Sequence, residues 1–178
     1  MASSDPIIPK EGWHVAHLFY RVDRAQWASF TEQEQVEIKA NITDLVGEIR
    51  SKANTQLLTL SMVGTKADLG FMLTCPDLHA IDLAIKQLSA SLGPEVLVPT
   101  FSWLSLTELS DYGTTEEEYV ADLKSKGTPN SPELQSKITE FRTRMEKYGK
   151  DRLYPNLADW PVFCFYPMSK RRILGQNW

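Results

Sequence analysis

The chain is predicted to be an α+β protein, a ferredoxin-like domain followed by the first strand of a second such domain. Three observations predict it. Strand-like and helix-like segments alternate as strand, helix, strand, strand, helix, strand, the order that folds into an antiparallel sheet with both helices on one face. The helical segments carry their apolar residues on one side only. A further apolar run, from Val162 to Tyr166, arrives after that unit is complete and starts something new.

From Gly12 to Val22, the residues Trp13, Val15, Leu18, Phe19, Tyr20 and Val22 give an aromatic strand with little alternation, the pattern of a strand covered on both faces. The period then changes. Ile38, Ile42, Leu45, Val46 and Ile49 recur every three to four residues, and Thr31 with Glu34 offers a capping box at the start of that helix. Leu57 to Val63 and Leu69 to Leu73 are short apolar runs joined by Gly64-Thr65-Lys66-Ala67-Asp68, and read as an antiparallel pair across a loop. A second helix carries Leu78, Ile81, Ala84, Ile85, Leu88 and Leu92, ended by Gly93-Pro94. Leu97 to Leu109 returns to extended structure, with Phe101, Trp103 and Thr107 on one face and Leu104 and Leu106 on the other.

The face of this sheet away from its helices needs a cover, because a large bare apolar face aggregates. A second sheet, from another domain or a partner, is expected to supply it. The aromatic set Trp13, Phe19, Tyr20, Phe71, Phe101 and Trp103 is read as the core between the two sheets. The organisation expected is therefore a flexible tail over 1–11, the ferredoxin-like domain over 12–110, a connector over 111–160 and the start of a second domain over 161–178. The connector is polar and acidic at first, then holds a helix over 131–148 that opens on Ser131-Pro132 and ends at Gly149.

Bulk properties narrow the function classes. With 42% hydrophobic and 24% charged residues in 178, the composition is that of an ordinary globular protein. A net charge of −4 gives no overall pull toward nucleic acid or an anionic membrane, so any anion site must be local. Cys75 and Cys164 have neither metal-site spacing nor the number needed to staple such a chain, which points to a reducing compartment. No signal peptide or 18-residue apolar run is present in the sequence, and a cytoplasmic location without stable membrane insertion is expected.

The chemistry-bearing segment is Tyr166-Pro167-Met168-Ser169-Lys170-Arg171-Arg172, at the end of the last apolar run. A tyrosine at a strand end commonly packs its ring and hydrogen-bonds its hydroxyl. Pro167 ends regular pairing and leaves the phenol at a rim where ligands arrive. The basic cluster is either a solvated turn or a site for a carboxylate or phosphate. Arg152, fourteen residues earlier, is either a surface arginine beside a helix end or a member of the same pocket. His14, His17 and His79 form no metal motif, and no metal ligand is assigned. Glycine-rich phosphate loops, nucleophile elbows and paired carboxylates are absent from the sequence, so the residues by themselves leave the reaction unassigned.

Several segments together resemble the chlorite dismutase-like superfamily, and within it the coproheme decarboxylase branch. They are Gly12-Trp13, Gly64-Thr65-Lys66-Ala67-Asp68-Leu69, Pro99-Thr100-Phe101-Ser102 through Glu108-Leu109-Ser110, and Arg152-Leu153-Tyr154-Pro155. Most specific is Tyr166-Pro167-Met168-Ser169-Lys170 with Arg172 and Asn177-Trp178. The resemblance implies two ferredoxin-like halves with facing sheets, the dimeric α/β barrel fold, assembled as a homopentamer. It also implies that most of the second, porphyrin-holding half, including the axial iron ligand, would lie beyond Trp178.

The activity implied for the full-length protein is peroxide-dependent oxidative decarboxylation of iron coproporphyrin III (coproheme) to protohaem. Coproheme is then both substrate and redox centre, and hydrogen peroxide the oxidant. By position, Tyr166 matches the catalytic tyrosine, which gives up an electron and a proton and then takes hydrogen from a propionate β-carbon. Arg152 and Lys170 match propionate-binding residues, Met168 a residue near the reactive propionate, and Ser169 a minor polar contact. Two alternatives stand beside this reading: a chlorite dismutase yielding chloride and dioxygen, and a structural or assembly fragment without bound haem.

Overall fold

The computed structural model describes residues 5–110, 113–126, 132–158 and 160–166. Strands β1 (His14–Val22), β2 (Gln56–Ser61), β3 (Leu69–Cys75) and β4 (Leu97–Leu106) form one sheet in the order β2-β3-β1-β4, antiparallel at every pair. This is the ferredoxin-like arrangement expected, with β1 and β3 central. Between β1 and β2 run α1 (Arg24–Ala28) and α2 (Glu32–Ser51), and α3 (Leu78–Ala90) joins β3 to β4. After the sheet come α4 (Glu116–Ser125) and α5 (Pro132–Leu153), which meet through the stacked rings of Tyr119 and Phe141, 4.3 Å apart.

Strand alternation separates the two faces of the sheet. Ala16, Leu18 and Tyr20 of β1 and Phe71, Leu73 and Cys75 of β3 point at the helices, and pack with Ile49 of α2 and Ile81, Ala84 and Leu88 of α3. Burying one such large aliphatic side chain removes enough apolar surface from water to contribute about 1.5–3 kcal/mol. Tyr20 satisfies its hydroxyl with Ser89 Oγ at 2.7 Å. The two helices that pack on the sheet, α2 and α3, start where a side chain accepts an otherwise orphaned N–H. Thr31 and Glu34 close the expected capping box on α2, and Asp77 caps α3.

The β2–β3 hairpin is tied to β1 by its acidic residue. Asp68 accepts from Val22 N at 2.9 Å through its carboxylate, while its own N–H donates to the Tyr20 carbonyl at 2.8 Å. Gly64 turns the loop with φ +125°, a conformation that a side chain would strain.

Four expectations change, and a fifth, the strand over 162–166, has no neighbour to pair with among the described residues. Tyr20 and Phe71 belong to the helix-facing core and not to the opposite face; strand parity decides this, and a nearly continuous apolar run hides it. Described tail residues are docked: Ile7 N donates to Asp77 Oδ1 at 3.0 Å and Leu78 N to the Ile7 carbonyl at 3.0 Å. The third helix continues through Gly149 to Leu153, so Arg152 lies in its last turn. A bare Cα at 149 suits the contact there, since a Cβ would sit 3.3 Å from Leu109 Cδ2. Extended structure expected to Leu109 ends at Leu106. Residues 162–166, expected as a strand, pair with no strand among the described residues. A strand needs a neighbour for its main-chain groups, and the described residues hold no further strand to serve as one.

The division of faces gives a direct test. Phe71→Ala, at a position 1% exposed, should cost about 3–5 kcal/mol in urea unfolding. Val63→Ala, in the open hairpin loop, should stay within about 0.5 kcal/mol of the parent. Similar losses for both would contradict the assignment of the core.

Candidate functional site

The sheet face opposite the helices is crossed by the chain itself. At the end of α5, Thr107 Oγ1 donates to the Leu153 carbonyl at 2.7 Å, and Tyr154 meets Trp13 edge-on with ring centres 5.5 Å apart. The chain then reaches β2. There the Gln56 side chain behaves like a piece of strand edge: Nε2 donates to the Pro155 carbonyl and Oε1 accepts from Leu157 N, both at 2.7 Å. One primary amide supplies the donor and the acceptor that an isolated extended segment lacks.

Farther along, Phe165 lies on the sheet. Its ring stacks on His17 at 4.2 Å with planes 16° apart, and on Phe19 at 5.7 Å and 24°. Cross-strand pairing extends this platform to β4, where His17 faces Trp103 and Phe19 faces Phe101. Two local features fit the Phe19 ring into place. A register shift between Phe19 and Tyr20 marks a bulge in the β1–β4 pairing, where Thr100 Oγ1 donates to the Phe19 carbonyl at 3.0 Å. On the other side, Gly70 of β3 leaves room, since a Cβ there would come within 3.3 Å of Phe19 Cδ1 and 2.9 Å of Met62 Sδ.

Burial along the strap alternates. Phe163 and Phe165 are half-buried, whereas Val162, Cys164 and Tyr166 are exposed. Phe165 thus faces the sheet and Tyr166, 67% exposed, belongs to the opposite face. Among the described residues Tyr166 is placed by its neighbour Phe165 rather than by a hydrogen bond of its own phenol.

Arg152 is held elsewhere. Its Nε donates to the Glu108 carbonyl at 3.1 Å and Nη1 to the Tyr148 hydroxyl at 3.2 Å, with the guanidinium also over the Tyr148 ring. The group remains exposed and fixed in orientation, a suitable state for receiving a carboxylate. Among the described residues Arg152 and Tyr166 share no contact partner: Arg152 sits beside the end of β4, and the strap reaches Tyr166 past the middle of β1. Met168, Ser169 and Lys170 lie outside the described residues. A groove of about 860 Å³ opens on the sheet side, lined by Phe19, Phe101, Phe165 and the hairpin loop, with Arg21 and Lys66 among its lining residues.

Sequence reasoning did not single out Gln56, Gly70 or the stacking role of His17. Parity along β1 places His17 on the platform face, but only the return of the chain shows what covers it. His17 Nδ1 is buried with no hydrogen-bond partner among the described residues, and burial lowers the pKa of the ring. The unfolded chain, with histidine near its ordinary pKa of ~6.5, binds the proton more readily than the folded one. Stability should therefore be lost as pH falls through and below about 6.5. Chemical unfolding between pH 5 and 7.5 should show a shallower acid-side decline in His17→Phe than in the parent, and identical slopes would refute the buried neutral imidazole.

Comparison with known proteins places this geometry. A curated coproheme decarboxylase from Staphylococcus carnosus is 29% identical over 94% of this chain, which corresponds to 60% of that enzyme. A second relative, from Natronomonas pharaonis, is 28% identical over the whole chain and matched over 28% of its own length. Among solved structures, a heme-binding protein from Thermus thermophilus superposes with a TM-score of 0.53 and 28% identity, covering 72% of this chain and 49% of that one. A chlorite dismutase variant from Candidatus Nitrospira defluvii, at TM-score 0.53 and 14% identity, covers 66% and 49% and shares the fold. The chain thus spans less than two thirds of these relatives. With the chlorite dismutase family model matching residues 35–178, the chain belongs to the chlorite dismutase family.

Proposed function

We propose that the full-length protein is a haem-pathway enzyme, a coproheme decarboxylase that uses hydrogen peroxide, with Tyr166 as its reactive phenol. The observation that carries this reading is the placement of Tyr166: exposed, on the outer face of a strap whose inner face is anchored by Phe165. Similarity to the Staphylococcus carnosus coproheme decarboxylase across 94% of the chain supports the same reading. A phenol that must exchange hydrogen with a ligand has to be reachable yet held still, and this arrangement meets both requirements.

The described residues fit the carboxylate edge of a porphyrin better than its iron. Arg152 offers an oriented, charged donor, and Tyr166 an exposed hydroxyl. Iron in a porphyrin takes a single axial side chain, which this reading places outside the described residues. His17 is unsuited, with Nδ1 buried and its ring covered by Phe165. The redox chemistry is supplied by the bound iron porphyrin and peroxide. The roles proposed for this chain are to present the Tyr166 hydroxyl to a propionate and to bind propionates through Arg152 and Lys170, with Met168 and Ser169 beside them. Oligomeric assembly, pentameric by family resemblance, and a cytoplasmic setting belong to the same proposal. Among the described residues no helix is long and apolar enough to cross a membrane.

In the full-length protein, Tyr166→Phe should abolish decarboxylation while coproheme still titrates to a stoichiometric complex. Retained turnover by this variant would end the assignment, and rapid dioxygen release from chlorite with intact propionates would transfer it to chlorite dismutase chemistry. Arg152→Ala should weaken coproheme binding about tenfold, the equivalent of losing one charged hydrogen bond, with the melting temperature little changed. Unaltered affinity would return Arg152 to a structural role at the end of α5.

A further inference from the structure

We infer that His17 and Phe19, in the first sheet, are positioning residues for Tyr166 and act through the ring of Phe165. The inference rests on Tyr166 being the reactive phenol. Residues 160–166 form no ladder among the described residues, so their placement depends on side chains. Gln56 fixes the entry of the strap at Pro155 and Leu157, and the stack on His17 and Phe19 fixes its far end. Only one peptide unit separates Phe165 from Tyr166, and a trans peptide holds adjacent Cα atoms ~3.8 Å apart. The anchored Phe165 ring therefore restricts where the Tyr166 backbone can lie, and with it the region the phenol can reach.

The platform itself is rigid. His17 and Phe19 lie on β1, which is paired along this stretch with β3 on one side and β4 on the other. Both are nearly buried, at 9% and 8% exposure, and the open space at Gly70 sets the depth of the Phe19 ring. His17 has Met72 and Trp103 as cross-strand neighbours and Phe165 above it, none of them charged. Its contribution is thus a flat neutral face. Phenylalanine would supply the same face without the unpaired Nδ1, whereas alanine would leave the Phe165 ring unsupported.

The test uses the full-length protein with His17→Ala, His17→Phe, Phe165→Ala, Phe165→Leu and Tyr166→Phe. Without ligand, amide hydrogen exchange over 160–166 should accelerate about tenfold or more in His17→Ala and Phe165→Ala, and stay near the parent rate in His17→Phe. With coproheme and peroxide, the two alanine variants should lose ~10- to 100-fold in kcat, the scale expected for misplacement by about 1 Å, with KM within about twofold. Phe165→Leu, which keeps apolar volume without a flat ring, should fall between and serves if an alanine variant does not fold. Parental exchange and kcat in the folded variants, or a His17→Phe protein as impaired as His17→Ala, would overturn the inference. Full turnover by Tyr166→Phe would instead remove the functional reading, and the exchange rates would still decide whether the stack fixes the strap.

Discussion

A four-stranded sheet with helices on one side has a second side to cover, and that constraint organises this chain. The helix-facing side is closed by ordinary means, with Ile49, Ile81, Ala84 and Leu88 packed against Leu18, Phe71 and Leu73. The other side carries Val15, His17 and Phe19 on the central strand β1, all buried, although no helix lies over them. The stretch from Tyr154 to Phe165 supplies part of their cover. At the edge the cover runs out, and Phe101 and Trp103 stay 44% and 46% exposed. The chain spans less than two thirds of its relatives, and the second sheet expected from the sequence is the cover proposed for these two rings.

Covering the sheet and exposing Tyr166 are the same act here. Because side chains alternate along an extended segment, burying Phe163 and Phe165 against the sheet commits Tyr166 to the outer face. Two surfaces of different character result. The inner groove is aromatic, with Arg21 and Lys66 among its lining residues, and opens on the face of the sheet away from the helices. The outer surface bears the phenol, which is followed in sequence by the basic segment. Tyr166 is reached from the outer face of the strap, whose inner face rests on the first sheet.

Much of the fold was legible. The change from a three-to-four-residue period to strand-like runs located the two long helices and four strands, and Thr31 with Glu34 marked the start of α2. Local signals failed where geometry depends on distant partners. Gly149 reads as a helix stop, yet α5 passes through it beside Leu109. The short α1 has too few residues to show a period, although Asp23 caps it. Phe71 and Tyr20 look like their aromatic neighbours in sequence, and only strand parity separates their faces. At the candidate site, the motif around Tyr166 is readable because it is contiguous. Gln56 and His17 are not, because their partners Pro155 and Phe165 lie at the far end of the chain and nothing local announces the contact.

The structure of the full-length protein with coproheme bound tests the role of Tyr166 most directly. With Tyr166 as the reactive phenol, the porphyrin lies on the Tyr166 side of the strap, a propionate comes within hydrogen-bond reach of the phenol, and Phe165 stays stacked on His17. A porphyrin seated between Phe19, Phe101 and Lys66, with Phe165 displaced from His17, would contradict it.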